Sequence, residues 1–154
     1  MRTTKIMISI IVAIMFVFFS ANTIAQTKNE INAILTADHQ SVMKHANAIV
    51  SGEAKTLNDQ ILQYNEARKS FADAKKTHTQ LKKTLSAKNK SVAIIHHDNI
   101  DKQHANATIY ANAMSWELNS NKPDDAKLKD CAKKLYDAIA AAETEHLALI
   151  KDAN

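Results

Sequence analysis

Histidine is the residue type of this chain best suited to chemistry, and the spacing of its seven copies decides which can meet. Neutral imidazole is a good ligand for zinc, copper, nickel and iron near neutral pH. Apolar stripes with alternating steps of three and four residues place His45, His78, His97, His104 and His146 on core-facing helical positions. Asp38 falls on the first of these stripes, whereas His39 and His96 fall outside them. Three imidazoles and one carboxylate make a sensible four-coordinate set. The expected ligands are therefore His78, His97, His146 and Asp38, with His104 and His45 as a second pair or an outer shell. On this reading removal of His97 weakens metal binding and removal of His39 does not. The competing expectation is that each histidine is a polar core residue bonded to a neighbour or to buried water, in a purely structural or interaction bundle.

The elements that must position these side chains are helices. A chain with one Gly and one Pro, rich in Ala, Lys, Leu and Asn, has few turns and little reason to form sheets. Its punctuation falls in three places. Ser51-Gly52-Glu53 holds the single Gly, a natural residue just past a helix end, and Thr56 can cap a new helix with Asp59 three residues on. Ser86 to Ser91 is polar, and Ser91 can cap the third helix. Asn119 to Asp125 contains Pro123 where a helix should begin, with acids suited to its first turn. The predicted helices span 28–51, 57–87, 91–120 and 124–152. Short connections make sequential helices antiparallel, so the expected fold is an all-α, up-down-up-down four-helix bundle.

The stripes predicted on these helices are Ile31, Leu35, Asp38, Val42, His45 and Ile49 on the first, and Tyr64, Ala67, Phe71, Ala74, His78, Leu81 and Leu85 on the second. The third carries Ala93, His97, Ile100, His104, Ala107, Ala111, Met114 and Leu118. The fourth carries Leu128, Ala132, Leu135, Ile139, Ala142, His146 and Leu149. Antiparallel alignment across the turns brings His78 level with residue 99 and His146 level with residue 98, so His78, His97 and His146 are expected to share a layer. The sequence His-Ala-Asn-Ala occurs at both His45 and His104, and aligning the two sets Asp38 opposite His97.

Two pairs invite comparison with known bundles. Asp101-Lys-Gln-His104 and Glu143-Thr-Glu-His146 each place a carboxylate three residues before a core histidine, which resembles the Glu-x-x-His ligand motif of ferritin-like di-iron bundles. That family carries the motif on its second and fourth helices. Here the pairs fall on the third and fourth, one is an Asp, and the second helix has none. Met43 and His146 resemble the Met and His haem ligands of exported b562-type cytochromes, although Met43 lies off its stripe. Haem b held by two of His78, His97 and His146 is therefore the second cofactor expectation. Without Cys-x-x-Cys-His, covalent c-type haem is excluded.

The first 25 residues read as a leader rather than as part of the bundle. Arg2 and Lys5 precede the uncharged run Ile6 to Phe19, and small residues end at Ala25. That run spans about 21 Å as helix, short of a hydrocarbon core of roughly 30 Å. Cleavage after Ala25 is expected to leave residues 26–154 as an exported domain, periplasmic or secreted, with no stable membrane insertion. Loss of Arg2 and Lys5 leaves 18 basic residues against 16 acidic. With no polybasic block and few aromatics, nucleic acid is not an expected partner. Cys131 is alone, so no internal disulfide forms. No nucleophile stands beside a positioned base and no Gly-rich phosphate loop is present, so the chain is not expected to be an enzyme.

Overall fold

A computed structural model of the protein describes residues 27–84 and 90–152. The expected leader, residues 1–25, lies outside the described residues. Four helices make up the described chain: α1 (Lys28–Val50), α2 (Leu57–Lys83), α3 (Lys90–Leu118) and α4 (Asp125–Asp152). Their starts are set by side chains that satisfy otherwise unbonded backbone N–H groups. Thr27 with Glu30, and Thr56 with Asp59, each form a reciprocal capping box. Asp124 Oδ1 accepts from the backbone N–H of Ala126 and Lys127 at 3.0 and 3.2 Å, directly after Pro123. Ser91 lies within α3 instead of capping it, because the helix already includes Lys90.

The loop after α1 turns on Gly52, whose φ of +78° lies in the left-handed region that disfavours any residue with a Cβ. Its amide bonds back to the Ile49 carbonyl at 3.2 Å and Ser51 bonds to Asn47 at 2.8 Å.

Cross-helix contacts fix the directions. Asp38, Ser41 and His45 of α1 meet Thr77, Ser70 and Gln63 of α2 in turn, so these helices run oppositely. Phe71 and His78 of α2 meet His104 and His97 of α3, again in reverse order. α3 and α4 touch through His96 and Glu145 at one end, and at the other Glu117 accepts from the backbone of Asp124, the residue before α4. α1 also packs along α4, where Thr36 meets His146 and His39 meets Glu143. The result is a helical bundle with α1 and α3 on its diagonal.

Hydrophobic burial divides the interior in two. The larger cluster includes Val42, Ile49, Phe71, Met114, Leu128, Leu135 and Ile139. The smaller consists of Ile31, Leu35, Ala74, Leu81, Ala93, Ile100, Ala142 and Leu149. Five histidines sit in and beside this smaller cluster: His39, His78, His97, His104 and His146, none more than 3% exposed. The described stripe positions of α2, α3 and α4 are buried as expected from the sequence, and Leu85 lies outside the described residues. On α1 the inward residues are Ile31, Asn32, Leu35, His39, Val42, Ala46 and Ile49. Asp38 and His45 are only half-buried.

A Cβ added at Gly52 meets no atom within 4 Å, so its cost comes from the backbone alone. Gly52→Ala is expected to lower stability by about 1 kcal/mol in urea unfolding followed by circular dichroism. An unchanged midpoint would show that this turn does not constrain the fold.

Candidate metal centre

His39 reaches the interior because it completes the α1 stripe four residues after Leu35 and three before Val42. Glu143 and His146 stand one helical turn apart on α4 and point the same way. The three converge. His39 Nδ1 lies 2.7 Å from Glu143 Oε2, and His146 Nδ1 lies 3.4 Å from the same oxygen. All three side chains are buried, and their donor atoms lie within 4.8 Å of one another, close enough to hold a metal ion.

The outer nitrogens of both rings are also engaged. His146 Nε2 lies 3.2 Å from Asn32 Oδ1, and His39 Nε2 lies 2.9 Å from His104 Nε2. With the Asn32 carbonyl as acceptor, His146 Nε2 carries the hydrogen, and in the neutral ring Nδ1 keeps its lone pair. That lone pair then faces a carboxylate oxygen. The other tautomer, with the Asn32 amide turned to donate to Nε2, puts the hydrogen on Nδ1 and makes His146 a donor to Glu143; in the first, the space between Nδ1 and Oε2 suits a cation. The hydroxyl of Thr36, 3.5 Å from His146 Nδ1, borders the same point.

A tetrahedral ion with metal–ligand bonds of about 2.0–2.1 Å separates its ligand atoms by roughly 3.3 Å. The His146–Glu143 distance matches this value. The His39–Glu143 contact is a hydrogen bond that must open by roughly 0.6 Å when an ion replaces its proton. The residues therefore fit a three-ligand site with a fourth position beside Thr36.

Electrostatics favour an ionised carboxylate at Glu143 and neutral rings at His78, His97 and His104. Burial raises the Glu143 carboxyl, but hydrogen bonds from His146, His39 and Thr36 outweigh it and hold it down at about 2. Burial pushes His104 down to about 3, helped by repulsion from His39 and His78. Burial likewise takes His78 to about 4 against the upward pull of Asp101, and His97 to about 4. His96 is different. It is half-buried, with Nδ1 donating to Glu145 at 2.9 Å and Nε2 to Asp152 at 3.1 Å, and the Glu145 hydrogen bond raises its pKa.

Several expected site residues are brought together, and others are not. His78 and His97 meet directly, Nε2 to Nδ1 at 2.8 Å. His104 joins them to His39, since its ring centroid is 5.5 Å from that of His78 and 5.2 Å from that of His39. His146 meets His39 and Glu143 instead of lying against His78. Asp38 turns to α2, where its carboxylate accepts from Thr77 at 3.1 Å, and His45 donates through Nδ1 to Gln63 Oε1 at 2.7 Å. Both lie on the α2-facing flank of α1, away from the convergence. The expectation that His39 stays out of the core is thus corrected: it is fully buried and central. The Glu143-x-x-His146 spacing is the one sequence signal for Glu143. Nothing marks Asn32. The repeated His-Ala-Asn-Ala segments also diverge, because His104 is buried and His45 is only half-buried.

Compared with known protein families, curated proteins and solved structures, the chain matches none.

The depressed imidazoles and Glu143 act in one direction. In the unfolded chain the histidines take up protons near pH 6.5, whereas folded His78, His97 and His104 do so only near 4, 4 and 3. Their contribution is complete above pH 6.5 and is lost as pH falls toward 4, with a slope of up to about 1.4 kcal/mol per pH unit for each ring. Glu143 adds a further loss below about pH 4.5. Urea midpoints measured from about pH 7 to about pH 4 are expected to fall steeply. A flat profile would mean that the rings are charged or hydrated in the folded protein.

Proposed function

We propose that this chain is a small exported helical bundle, periplasmic or secreted, that holds a transition metal ion of the zinc, copper or nickel class for storage, transfer or sensing. The ion sits between His39 Nδ1, Glu143 Oε2 and His146 Nδ1. The observation that carries the reading is the convergence of two imidazole nitrogens on one buried carboxylate oxygen. Asn32 and His104 hold the outer ring nitrogens and so orient the ligands, as partners of ligating histidines do in metal sites. Glu143 is 8% exposed and both rings are 0% exposed, which suits retention of an ion better than turnover of a substrate. We therefore assign no catalysis. Export rests on the sequence of residues 1–25. Among the described residues no helix is long and apolar enough to cross a membrane.

One observation favours a second reading, a structural bundle with a polar core. Among the described residues every buried side-chain nitrogen and oxygen has a hydrogen-bond partner, so the network also satisfies itself without an ion. Haem b is less well supported. Two nitrogens on opposite sides of an iron stand roughly 4 Å apart, twice a bond of about 2 Å. His78 and His97 are 2.8 Å apart.

Metal-free protein titrated with Zn²⁺, Cu²⁺ or Ni²⁺ is expected to show a raised melting temperature, since an ion bound to the folded state stabilises it by mass action. His39→Ala and Glu143→Gln are each expected to weaken binding at least tenfold, whereas His45→Ala leaves it unchanged. Equal effects from all three, or no shift on adding any of the metals, would leave the structural reading. A Soret band in protein isolated from its source would favour haem.

A further inference from the structure

A second pair of facing imidazoles lies on the seam between α2 and α3. His78 Nε2 and His97 Nδ1 are 2.8 Å apart, and each residue is 1% exposed. On the far side of the His78 ring, Asp101 Oδ1 lies 3.1 Å from Nδ1. The other Asp101 oxygen accepts from Lys82 Nζ at 2.6 Å. The carboxylate thus keeps the hydrogen on His78 Nδ1 and leaves the Nε2 lone pair aimed at His97. An imidazole anchored by a carboxylate at one nitrogen and free at the other is the form in which histidine binds metals.

We infer that His78 and His97 form a second transition-metal position, with Asp101 as the positioning residue and Lys82 holding Asp101 in place. The ion takes the place between Nε2 and Nδ1, and the hydrogen that His97 carried on Nδ1 moves to its Nε2. Two nitrogens suit a borderline or soft cation such as Zn²⁺ or Cu⁺. Of the contacts between neighbouring helices, that between α2 and α3 is the slightest. A small parting of this seam takes the pair from 2.8 Å to the roughly 3.3 Å that a tetrahedral ion requires. His104 then stands between the two ions, its Nε2 on His39 and its ring beside His78. The inference shares with the proposed function the idea that these buried imidazoles serve metals, but it depends on different residues.

The test is the number of Zn²⁺ ions held per chain after equilibrium dialysis, read by elemental analysis, with circular dichroism as the folding control. Two are expected for the wild type, one for His97→Gln, one for Glu143→Gln, and none for the double variant. A single ion lost in Glu143→Gln and kept in His97→Gln overturns the second position and leaves the first standing. A single ion lost in His97→Gln and kept in Glu143→Gln does the reverse. No ion in the wild type overturns both. Asp101→Asn, at a half-exposed position, serves if His97→Gln does not fold. It is expected to weaken one of the two ions about tenfold, the effect of losing an outer partner, and to leave the other unchanged. Two unchanged affinities in Asp101→Asn overturn the positioning role.

Discussion

An imidazole removed from water has two nitrogens to satisfy, one as a donor and one as an acceptor, and hydrocarbon offers neither. Five such rings share the interior of this bundle, and the arrangement of everything near them results from that demand. They meet it largely from one another. His39 turns to Glu143 and His104, His78 to His97 and Asp101, and His146 to Asn32 and Glu143. Contributions come from all four helices, so the network sets the relative heights of the helices as well as their rotation.

The same demand explains why the interior is lopsided. Where Leu128, Leu135, Ile139 and Met114 pack, interdigitated side chains can fill the space between helices without directional constraint. Where the histidines lie, the hydrocarbon is thinner, with Ala74, Ala93 and Ala142 among the residues that fill it. Small side chains there let planar rings approach edge to face, as His39 does toward both His104 and His146. Stability at that end depends on hydrogen bonds whose strength varies with protonation, in contrast to burial, which does not.

Three helices were legible in the sequence because each apolar stripe has a single continuation. From Leu128 to Leu149 the stripe runs without a break, and buried Ala138 and Glu143 beside it widen the face without turning it. On α1 the pattern allows two continuations that share Ile31, Leu35, Val42 and Ile49. One passes through Asp38 and His45, the other through His39 and Ala46. The first alternates steps of four and three throughout and the second opens with two steps of four, so they differ only by a rotation of the helix. That rotation is decided by partners on other helices, by Glu143 and His104 drawing His39 inward and by Thr77 and Gln63 holding the α2-facing flank. A single sequence does not encode such long-range choices locally. For the same reason the layer expected from turn geometry gathers His78 with His97 but misassigns the partner of His146.

The division of the core has a consequence along the length of a single rod. α4 runs unbroken from Asp125 to Asp152, yet its first half is packed by hydrocarbon and its second carries Glu143 and His146 into the polar network. Helix segments open to solvent exchange in cooperative units that track their packing, not their continuity. In mildly acidic deuterated buffer, amide hydrogens beyond Ala142 are expected to exchange through a local opening that the segment around Leu135 does not share. On that expectation, protection along this one helix changes in a step near Glu143, and a continuous backbone divides into two mechanical parts.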